Sequence, residues 1–310
     1  MSIRTELDRI IDEVMDQSSL LDQALTALQG KAAGGGGGEE GITLDDIATR
    51  NIEGDVALTA SSISAYAFYG YSKVTSLSAP LVTSVGGYSF YASGITGALD
   101  LPVCTSIGDY AFYQTRGITS LYIPNVASIG QYAFTQCNKI TSLDAPNLTT
   151  MGVGAFGGSA SYKMLITSVN LPKLKAVPNS SMTYFDKITR LVLPSATSVG
   201  NSSLTNWTNL AYVDLPKCTS IANYGLRNNG KLATLILRSE TMCTLLNYAL
   251  NSTAIFNGNG YVYVPRALVE SYQTATNWKT VYGKNANAFR ALEDYTVDGT
   301  LTGELDASKI

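Results

Sequence analysis

Hydrophobic and polar residues recur in a fixed order every 22 residues between about Leu77 and Leu237. With one proline in each copy taken as position zero, apolar residues stand at −3, −1, +2, +5 and +10. These prolines are Pro80, Pro102, Pro124, Pro146, Pro172, Pro194 and Pro216. Every step is 22 residues except the 26-residue step between Pro146 and Pro172. A fixed period of this size predicts a solenoid, in which each turn packs only against its neighbours.

The clearest copy, Leu99 to Phe112, predicts the structure of one turn. Its apolar residues at −3 and −1 alternate as in a short strand with one buried face. The proline ends that strand because it has no N–H to donate. Glycine recurs at +6, which indicates a tight turn. The aromatic residues at +10 are Phe68, Phe90, Phe112, Phe134 and Phe156. We therefore expect one short strand per turn, joined in a parallel ladder over a continuous core.

Residues 1–30 have a different pattern, a heptad seam that predicts one amphipathic helix. Its seam residues are Ile3, Leu7, Ile10, Val14, Gln17, Leu21, Ala24 and Leu28. We predict a homo-oligomeric coiled coil, and we expect a trimer with the polar Gln17 setting the register. The alternative is a helix packed on the flank of the solenoid.

Boundaries in the pattern divide the rest of the chain. Residues 31–41 form a glycine-rich linker, since five consecutive glycines, Gly34–Gly38, cannot hold regular structure. Residues 42–260 are the solenoid with its N-terminal cap. Residues 261–282, a strand and then a helix led by Pro265, are the expected C-terminal cap. For residues 283–310 we expect an extended tail that pairs or packs locally.

The repeat resembles the BspA-like class of bacterial leucine-rich repeats. The matching features are the Leu-x-Leu-Pro strand, the Thr-Ser-Ile-Gly turn and the Tyr-Ala-Phe segment, as in Leu99–Phe112 and Leu121–Phe134. The match covers about residues 42–282 and weakens around Gly157–Ile166 and after Met182, where we expect irregular turns. The resemblance implies an α/β solenoid of 22-residue leucine-rich-repeat turns and a non-catalytic adhesin or surface-interaction module.

Charge and hydropathy narrow the range of partners. Lys and Arg number 21 and Asp and Glu 24, for a net charge of −3. Nucleic-acid binding would need a basic face, so we expect no nucleic-acid partner. No window has the length of apolar sequence that spans a bilayer, so we expect no membrane insertion. The N-terminus lacks the basic, apolar and small-residue order of a secretion signal.

The sequence offers little catalytic chemistry. The absence of histidine removes the usual general base and imidazole metal ligands. We therefore predict no catalytic residue, no metal and no cofactor, and hence no enzyme. One alternative, a glycan hydrolase, would use Asp100, Asp144 and Asp214. Asp100 and Asp144 are two turns apart, about 10 Å at strand spacing, which fits the carboxylate pairs of glycosidases poorly.

The four cysteines predict no disulfide framework. Cys104 and Cys218 share position +2 but stand five turns apart, about 24 Å at strand spacing, beyond the reach of a disulfide. Counting from position zero puts Cys243 at +5, so these three cysteines are expected to be small buried hydrophobic residues. Cys137 is expected in an exposed loop.

With catalysis set aside, the function that the sequence favours is binding of a ligand, and it offers two candidate surfaces. The first surface is formed by positions −4 and −2, which alternate with the buried residues and should point outward. The second half of that face has apolar and hydrogen-bonding residues that are typical interface anchors.

The second surface is an aromatic edge at +11 to +15. The aromatic residues of this edge are Tyr69, Tyr71, Tyr91, Tyr113, Tyr184, Phe185 and Trp207. The ligand-binding candidates are Tyr122, Arg190, Val192, Tyr212, Asp214, Ile236, Tyr184 and Trp207. The alternative is that Tyr69, Tyr91 and Tyr113 only stack on one another.

These features predict a non-enzymatic attachment protein, in which a coiled coil joins several chains and each chain presents a repeat arm. Our hypothesis is a bacteriophage fibre or receptor-binding protein. It would be assembled in the host cytoplasm, attached to other virion proteins by its N-terminal end, and bound to a host cell-surface glycan or protein. A bacterial cell-surface adhesin is the alternative.

Overall fold

The computed structural model describes residues 54–297 and 300–301. The predicted coiled-coil helix 1–30, the linker 31–41 and residues 42–53 of the predicted N-terminal cap lie outside these residues. The strands are β1 (Gly54–Ala57), β2 (Ser62–Ile63), β3 (Val74–Ser78), β4 (Ser84–Val85), β5 (Thr96–Asp100), β6 (Ser106–Ile107), β7 (Gly117–Tyr122), β8 (Ser128–Ile129), β9 (Ser142–Asp144), β10 (Thr150–Met151), β11 (Ser168–Asn170), β12 (Arg190–Val192), β13 (Ser198–Val199), β14 (Tyr212–Asp214), β15 (Ser220–Ile221), β16 (Thr234–Ile236), β17 (Thr244–Leu245), β18 (Tyr261–Val264), β19 (Phe289–Ala291), β20 (Thr296–Val297) and β21 (Thr300–Leu301).

The predicted parallel ladder is confirmed, and each regular turn contributes a second, shorter strand as well. The −4 to −2 strands form the sheets β1-β3-β5-β7, β9-β11 and β12-β14-β16-β18-β19. The shorter strands at +4 and +5 form β2-β4-β6-β8-β10 and β13-β15-β17. Leu99 pairs with Leu121 and Val213 with Leu235, so equivalent residues of successive turns are neighbours. The apolar columns therefore face inward between the two ladders.

The Tyr-Ala-Phe segment continues the stack without being a regular strand. Tyr110 and Gln114 have left-handed φ values of 55° and 59°. This geometry is costly for L-residues, but it turns alternate N–H groups toward the next copy. The N–H of Tyr110 donates to Gln131 O at 2.8 Å and that of Phe112 to Ala133 O at 2.8 Å. A third set of inter-turn hydrogen bonds thus runs along the solenoid.

The phenylalanines at +10 form the predicted central column. Neighbouring ring centroids from Phe68 to Phe156 are 5.0, 5.2, 5.2 and 5.1 Å apart, and the rings are nearly parallel. All five side chains are buried. The ring spacing matches the strand spacing of about 4.8 Å, so the aromatic column and the backbone ladder reinforce each other.

The ladder of −4 to −2 strands is interrupted twice, between β7 and β9, where the 22-residue spacing is regular, and between β11 and β12, where the sequence pattern weakens. In the described chain, β11 pairs only with β9, and a new sheet begins at β12. A single bridge, Val177 to Val199, stands in for the short strand of that turn. The four-residue excess between Pro146 and Pro172 and the loss of Tyr-Ala-Phe after Met182 explain the second interruption.

The C-terminal cap covers the last turn with two short helices. After β18 come a 3₁₀ turn (Arg266–Leu268), helix α1 (Val269–Thr274) and helix α2 (Trp278–Lys284). Tyr272 and Trp278 are buried beneath them. The chain then returns through β19, which pairs in parallel with β18. A second 3₁₀ turn (Leu292–Tyr295) leads into the antiparallel pair β20-β21.

We expect Gly130→Ala to lower the free energy of unfolding by about 1–3 kcal/mol, as other overpacking substitutions do. A Cβ at Gly130 would lie 2.5 Å from the Asp109 backbone nitrogen and 2.6 Å from the Gly108 carbonyl carbon, so two turns would have to separate. The control is Gly283→Ala in α2, where a Cβ would meet no atom within 4 Å. Urea unfolding of both variants checks this expectation, and equal stabilities would contradict it.

Candidate binding surfaces

The outward positions −4 and −2 on the first sheet, which we call the strand face, are open in the first half of the solenoid. Tyr122 is the most exposed large side chain there, at 58%. It lies opposite Asp100 of the neighbouring strand. Small residues occupy the −4 positions beside it, namely Ala98, Ser120 and Ser142. In the part of the chain that the structure describes, no aromatic ring stacks on Tyr122. The ring is therefore available to a partner.

The second half of the strand face is covered, so the prediction that Tyr212, Asp214 and Ile236 bind a ligand is wrong. Tyr212 and Ile236 are fully buried and Asp214 is almost so. They form a small second core with Tyr263, against which Leu292 and Tyr295 pack. The physical reason is that the chain after β19 folds back over this part of the sheet. The apolar residues at outward positions are thus partners of the chain's own C-terminal segment.

Charged side chains complete this covered region. Arg238 donates to both carboxylate oxygens of Asp214, from Nε at 3.2 Å and from a terminal nitrogen at 2.6 Å. The guanidinium carbon of Arg290 lies 3.3 Å from the centroid of Tyr261. It also lies 5.8 Å from that of Tyr295. Asp214 is therefore a structural ion-pair partner and does not face an open cleft with Asp100 and Asp144.

Two predicted ligand residues mark the border between the open and covered halves. Arg190 is exposed, and its guanidinium carbon lies 4.8 Å from the centroid of the buried Tyr212 ring. Val192 is half-buried and packs against the second core. Of these two, only Arg190 is exposed, and its guanidinium covers the Tyr212 ring.

The aromatic edge differs from its prediction in which positions point outward. Trp207 and Phe185 are fully buried and stacked at 4.7 Å, and Tyr71 is buried as well, so the expectation that these three rings lie on a ligand-binding edge is wrong. All three occupy +13, which faces the core. Trp207 Nε1 donates to Met182 O at 2.7 Å. Tyr184, at +12, is half-buried.

The tyrosines at +11 stack on one another, which was the alternative to a ligand role. Tyr69, Tyr91 and Tyr113 have successive centroid distances of 4.9 and 4.9 Å. A second column at +8 runs beside them and was missed in the sequence, although tyrosine stands two residues before four of the five phenylalanines at +10. Together they form the tyrosine edge, namely Tyr66, Tyr69, Tyr88, Tyr91, Tyr110, Tyr113 and Tyr132.

Stacking determines what the tyrosine edge offers to a ligand. Successive +8 rings are 5.0, 4.7 and 4.9 Å apart, so neighbouring rings cover most ring faces and only edges and hydroxyls remain outward. Partial burial, together with Tyr110, Tyr66 and Asp109 nearby, raises the pKa of Tyr88 to about 12. Burial also raises the pKa of Tyr110. The phenols of Tyr88 and Tyr110 are therefore neutral at physiological pH, and the stacked rings of the tyrosine edge stabilise the solenoid.

The cysteines occupy the core, and two expectations about them are wrong. Cys137 is fully buried at +13, and its thiol donates to Phe112 O at 3.0 Å. Cys243 does not hold +5, because Leu245 pairs with Ile221 at that position. Two extra residues in this turn shift the register. Burial raises the pKa of the Cys137 and Cys104 thiols.

Residues 54–297 bring together no group of three or more His, Cys, Asp or Glu side chains able to hold a metal ion. A search of the helices within the described chain found none with the length and apolar character needed to cross a membrane. An open cleft of about 340 Å³ lies between the last turn and α2, lined in part by Leu246, Tyr248 and Asn277. It contains no acidic or basic side chain.

Comparison with known proteins identifies the repeat. The family model described as "BspA type Leucine rich repeat region" matches six copies over residues 61–175 and 175–257. No curated protein matched the chain.

Among solved structures, the leucine-rich repeat protein of T. pallidum is 14% identical and has a TM-score of 0.34, over 76% of this chain and 85% of that one. A leucine-rich repeat protein from Bacteroides ovatus is 16% identical with a TM-score of 0.33, over 74% and 87%. A leucine-rich cell surface protein from Faecalibacterium prausnitzii is 14% identical with a TM-score of 0.28, over 65% and 82%. On the extent of the family match, this chain belongs to the BspA-type leucine-rich repeat proteins.

Proposed function

We propose that this protein is a non-enzymatic attachment protein that binds a host cell-surface glycan or protein through the open half of its strand face. The observation that carries the proposal is Tyr122, an exposed aromatic ring without a stacking partner in the described chain. Tyrosine supplies a large amphipathic contact area at low cost in side-chain entropy. The strand beneath it is held in register by the ladder, so the contact is preorganised.

The surroundings of Tyr122 favour a ligand that lies along the sheet. Small side chains at −4 leave room on one side, while Asp100 and Asp144 stand at −2 on the flanking turns. Asp144 accepts a hydrogen bond from the Asn170 side-chain amide at 2.8 Å, so both acceptor and donor groups lie along this column. Such a surface can hydrogen-bond hydroxyls or amides on either side of an aromatic anchor.

The finer proposal is an oligomeric bacteriophage fibre or receptor-binding protein. Its support is the heptad seam in residues 1–30 followed by the glycine-rich linker 31–41. The helices would join several chains, a trimer in our proposal, and anchor them to other virion proteins. Several arms acting together would convert weak contacts into tight attachment without additional chemistry. A bacterial cell-surface adhesin remains the second candidate, because the same repeat arm serves either role.

We expect Tyr122→Ser to weaken binding of the full chain to host cells at least about ten-fold, as loss of a central aromatic anchor does. The matched control is Tyr248→Ser. Tyr248 is exposed to nearly the same extent, 56% against 58%, but it stacks on Tyr224 at 5.4 Å, away from the strand face. Labelled protein is titrated onto intact cells. Equal affinities for the two variants would contradict the assignment of the strand face.

The location of the protein, on virions or on bacterial cells, distinguishes the bacteriophage fibre from the bacterial cell-surface adhesin. An antibody against the repeat arm should label purified virions if the protein is a fibre, and intact bacterial cells if it is an adhesin. Labelling of virions at a fibre position supports the finer proposal. Labelling confined to uninfected bacterial surfaces would replace it with the adhesin role, and the attachment function would remain.

A further inference from the structure

Two buried cysteines of neighbouring turns face each other near the C-terminal end of the solenoid. Cys218 Sγ and Cys243 Sγ are 4.0 Å apart, and both residues are fully buried. The other two cysteines have no such neighbour in the described chain. The Cys104 thiol donates to the Ser106 carbonyl of its own turn, and the Cys137 thiol donates to Phe112 O. One pair of thiols is therefore distinguished by its geometry.

The register explains why the pair meets. Ser220 pairs with Thr244 and Ile221 with Leu245, so the segments that carry the two cysteines run side by side in adjacent turns. In this register Cys243 lies opposite Thr219, one residue from Cys218. An offset of one residue, about 3.3 Å, across strands about 4.8 Å apart gives a Cα separation of about 6 Å. That separation is within the range of about 4.4–6.8 Å that disulfides span. The two extra residues of this turn bring Cys243 beside Cys218, where strict 22-residue counting would leave it at another position.

We propose that Cys218 and Cys243 are the site of a reversible disulfide that cross-links two neighbouring turns of the solenoid beneath the C-terminal cap. The sulfur atoms need to approach by about 2 Å to reach bonding distance. Side-chain rotation at two flexible cysteine side chains can supply a movement of that size. The proposal does not rest on the proposed function, because it concerns the stability of the arm and involves no ligand.

The chemistry is thiol–disulfide exchange with a low-molecular-weight disulfide. The thiolate of Cys218 attacks one sulfur of that disulfide, forms a mixed disulfide and releases one thiolate. Cys243, deprotonated in turn, attacks the Cys218 sulfur and releases the second thiolate. Two protein thiols are oxidised, one small disulfide is reduced to two thiols, and both protons pass to the thiols released.

The local hydrogen bonding gives the two cysteines different roles. The hydrogen bond from the Cys243 thiol lowers the pKa of Cys218, whereas the same hydrogen bond and burial raise the pKa of Cys243. Cys218 is therefore the better first nucleophile. Because both thiols are buried beneath the cap, the first attack requires the cap to open, which keeps the pair reduced until an oxidising medium is reached.

The consequence for the cap follows from the contacts of Cys243. Its N–H donates to the Tyr272 hydroxyl at 2.7 Å, and its carbonyl accepts from Trp278 Nε1 at 2.7 Å. Two buried aromatic residues of the cap are thus hydrogen-bonded to the backbone of one cysteine. A bond from that cysteine to Cys218 would covalently join the turn that holds the cap through these two hydrogen bonds to the preceding turn.

The experiment uses the full chain, equilibrated with oxidised or with reduced glutathione, then alkylated in denaturant and analysed by peptide mass. Oxidation is expected to remove two of the four thiols and to yield one linked peptide pair containing Cys218 and Cys243. The melting temperature of the oxidised chain should rise by roughly 5–10 °C. Four free thiols after oxidation, or a link that involves Cys104 or Cys137, would overturn the proposal.

Variants provide matched controls. Cys104→Ser removes a buried cysteine at the same repeat position as Cys218 and should leave both the linked peptide and the thermal shift unchanged. Cys218→Ser and Cys243→Ser should each abolish the shift between oxidised and reduced samples. A thermal shift that persists in either of these two variants would show that another group is responsible and would contradict the assignment.

Discussion

Replacing Phe112 by alanine is expected to lower the free energy of unfolding by about 3–5 kcal/mol, the range found for large-to-small changes of buried aromatic residues. Phe112 is fully buried, and its ring stacks on Phe90 and Phe134 at 5.2 Å on each side. Its loss would open a cavity and also break the column between turns. Because each turn packs only on its neighbours, the two halves of the array would lose part of their coupling.

Urea unfolding followed by circular dichroism measures this effect. The control is Tyr122→Ala, ten residues further along and in the next turn, which removes an aromatic ring from the surface and should change stability by no more than about 0.5 kcal/mol. We also expect the Phe112→Ala transition to broaden as cooperativity between turns falls. If the two variants unfold at the same urea concentration, the phenylalanine column does not stabilise the solenoid as described.

Replacing Arg238 by methionine is expected to cost about 3–5 kcal/mol, because it leaves the buried carboxylate of Asp214 without its charged partner. Asp214 is almost fully buried, and both of its oxygens accept from Arg238. The loss should also loosen the segment around Leu292 and Tyr295 that packs over this region. Faster hydrogen exchange in β19 and the following turn would show that loosening.

Two comparisons isolate the ion pair. The double variant Asp214→Leu with Arg238→Met removes both charges and should recover most of the lost stability. Arg266→Met breaks the exposed pair with Asp294, whose side chains are 60% and 54% exposed, and should change the free energy of unfolding far less than Arg238→Met does. A loss at Arg238 no larger than the loss at Arg266 would contradict the structural role of the buried pair.

The repeat itself could be predicted from the sequence because its determinants are local and periodic. Leu99, Leu121 and Phe112 recur at fixed spacing, and any stacking that buries one member of a column buries them all. The proline that ends each strand sets the register, so the pairing of Leu99 with Leu121 follows from counting. The weakened pattern around residues 157–166 coincides with the break in the short-strand ladder between β10 and β13, but β9 and β11 pair across it. The regular spacing gave no sign of the break between β7 and β9.

The covered half of the strand face could not be predicted, because it depends on a contact distant in sequence. Tyr212 and Ile236 stand at outward positions, and alternation alone places them in solvent. Leu292 and Tyr295, more than fifty residues further along, bury them. An apolar patch on an outward face is therefore compatible with an interface and with a fold-back of the same chain, and local pattern does not distinguish them.

Smaller errors arose where a turn departs from simple alternation. Tyr113 at +11 points outward and Cys137 at +13 points inward, because left-handed residues at +8 and +12 redirect the chain between them. Sequence spacing alone gives no sign of these φ values at non-glycine residues. At Cys243 the difficulty was a two-residue excess with no proline to reveal it, since Arg238 stands at position zero.

The central claim, attachment through the open strand face, is tested most directly by hydroxyl-radical footprinting of the full chain with and without envelope fragments of host cells. Oxidation of Tyr122 should fall on binding, while oxidation of the tyrosine edge and of Tyr248 should be unchanged. Protection confined to the tyrosine edge, with Tyr122 oxidised as in the free protein, would contradict attachment through the open strand face.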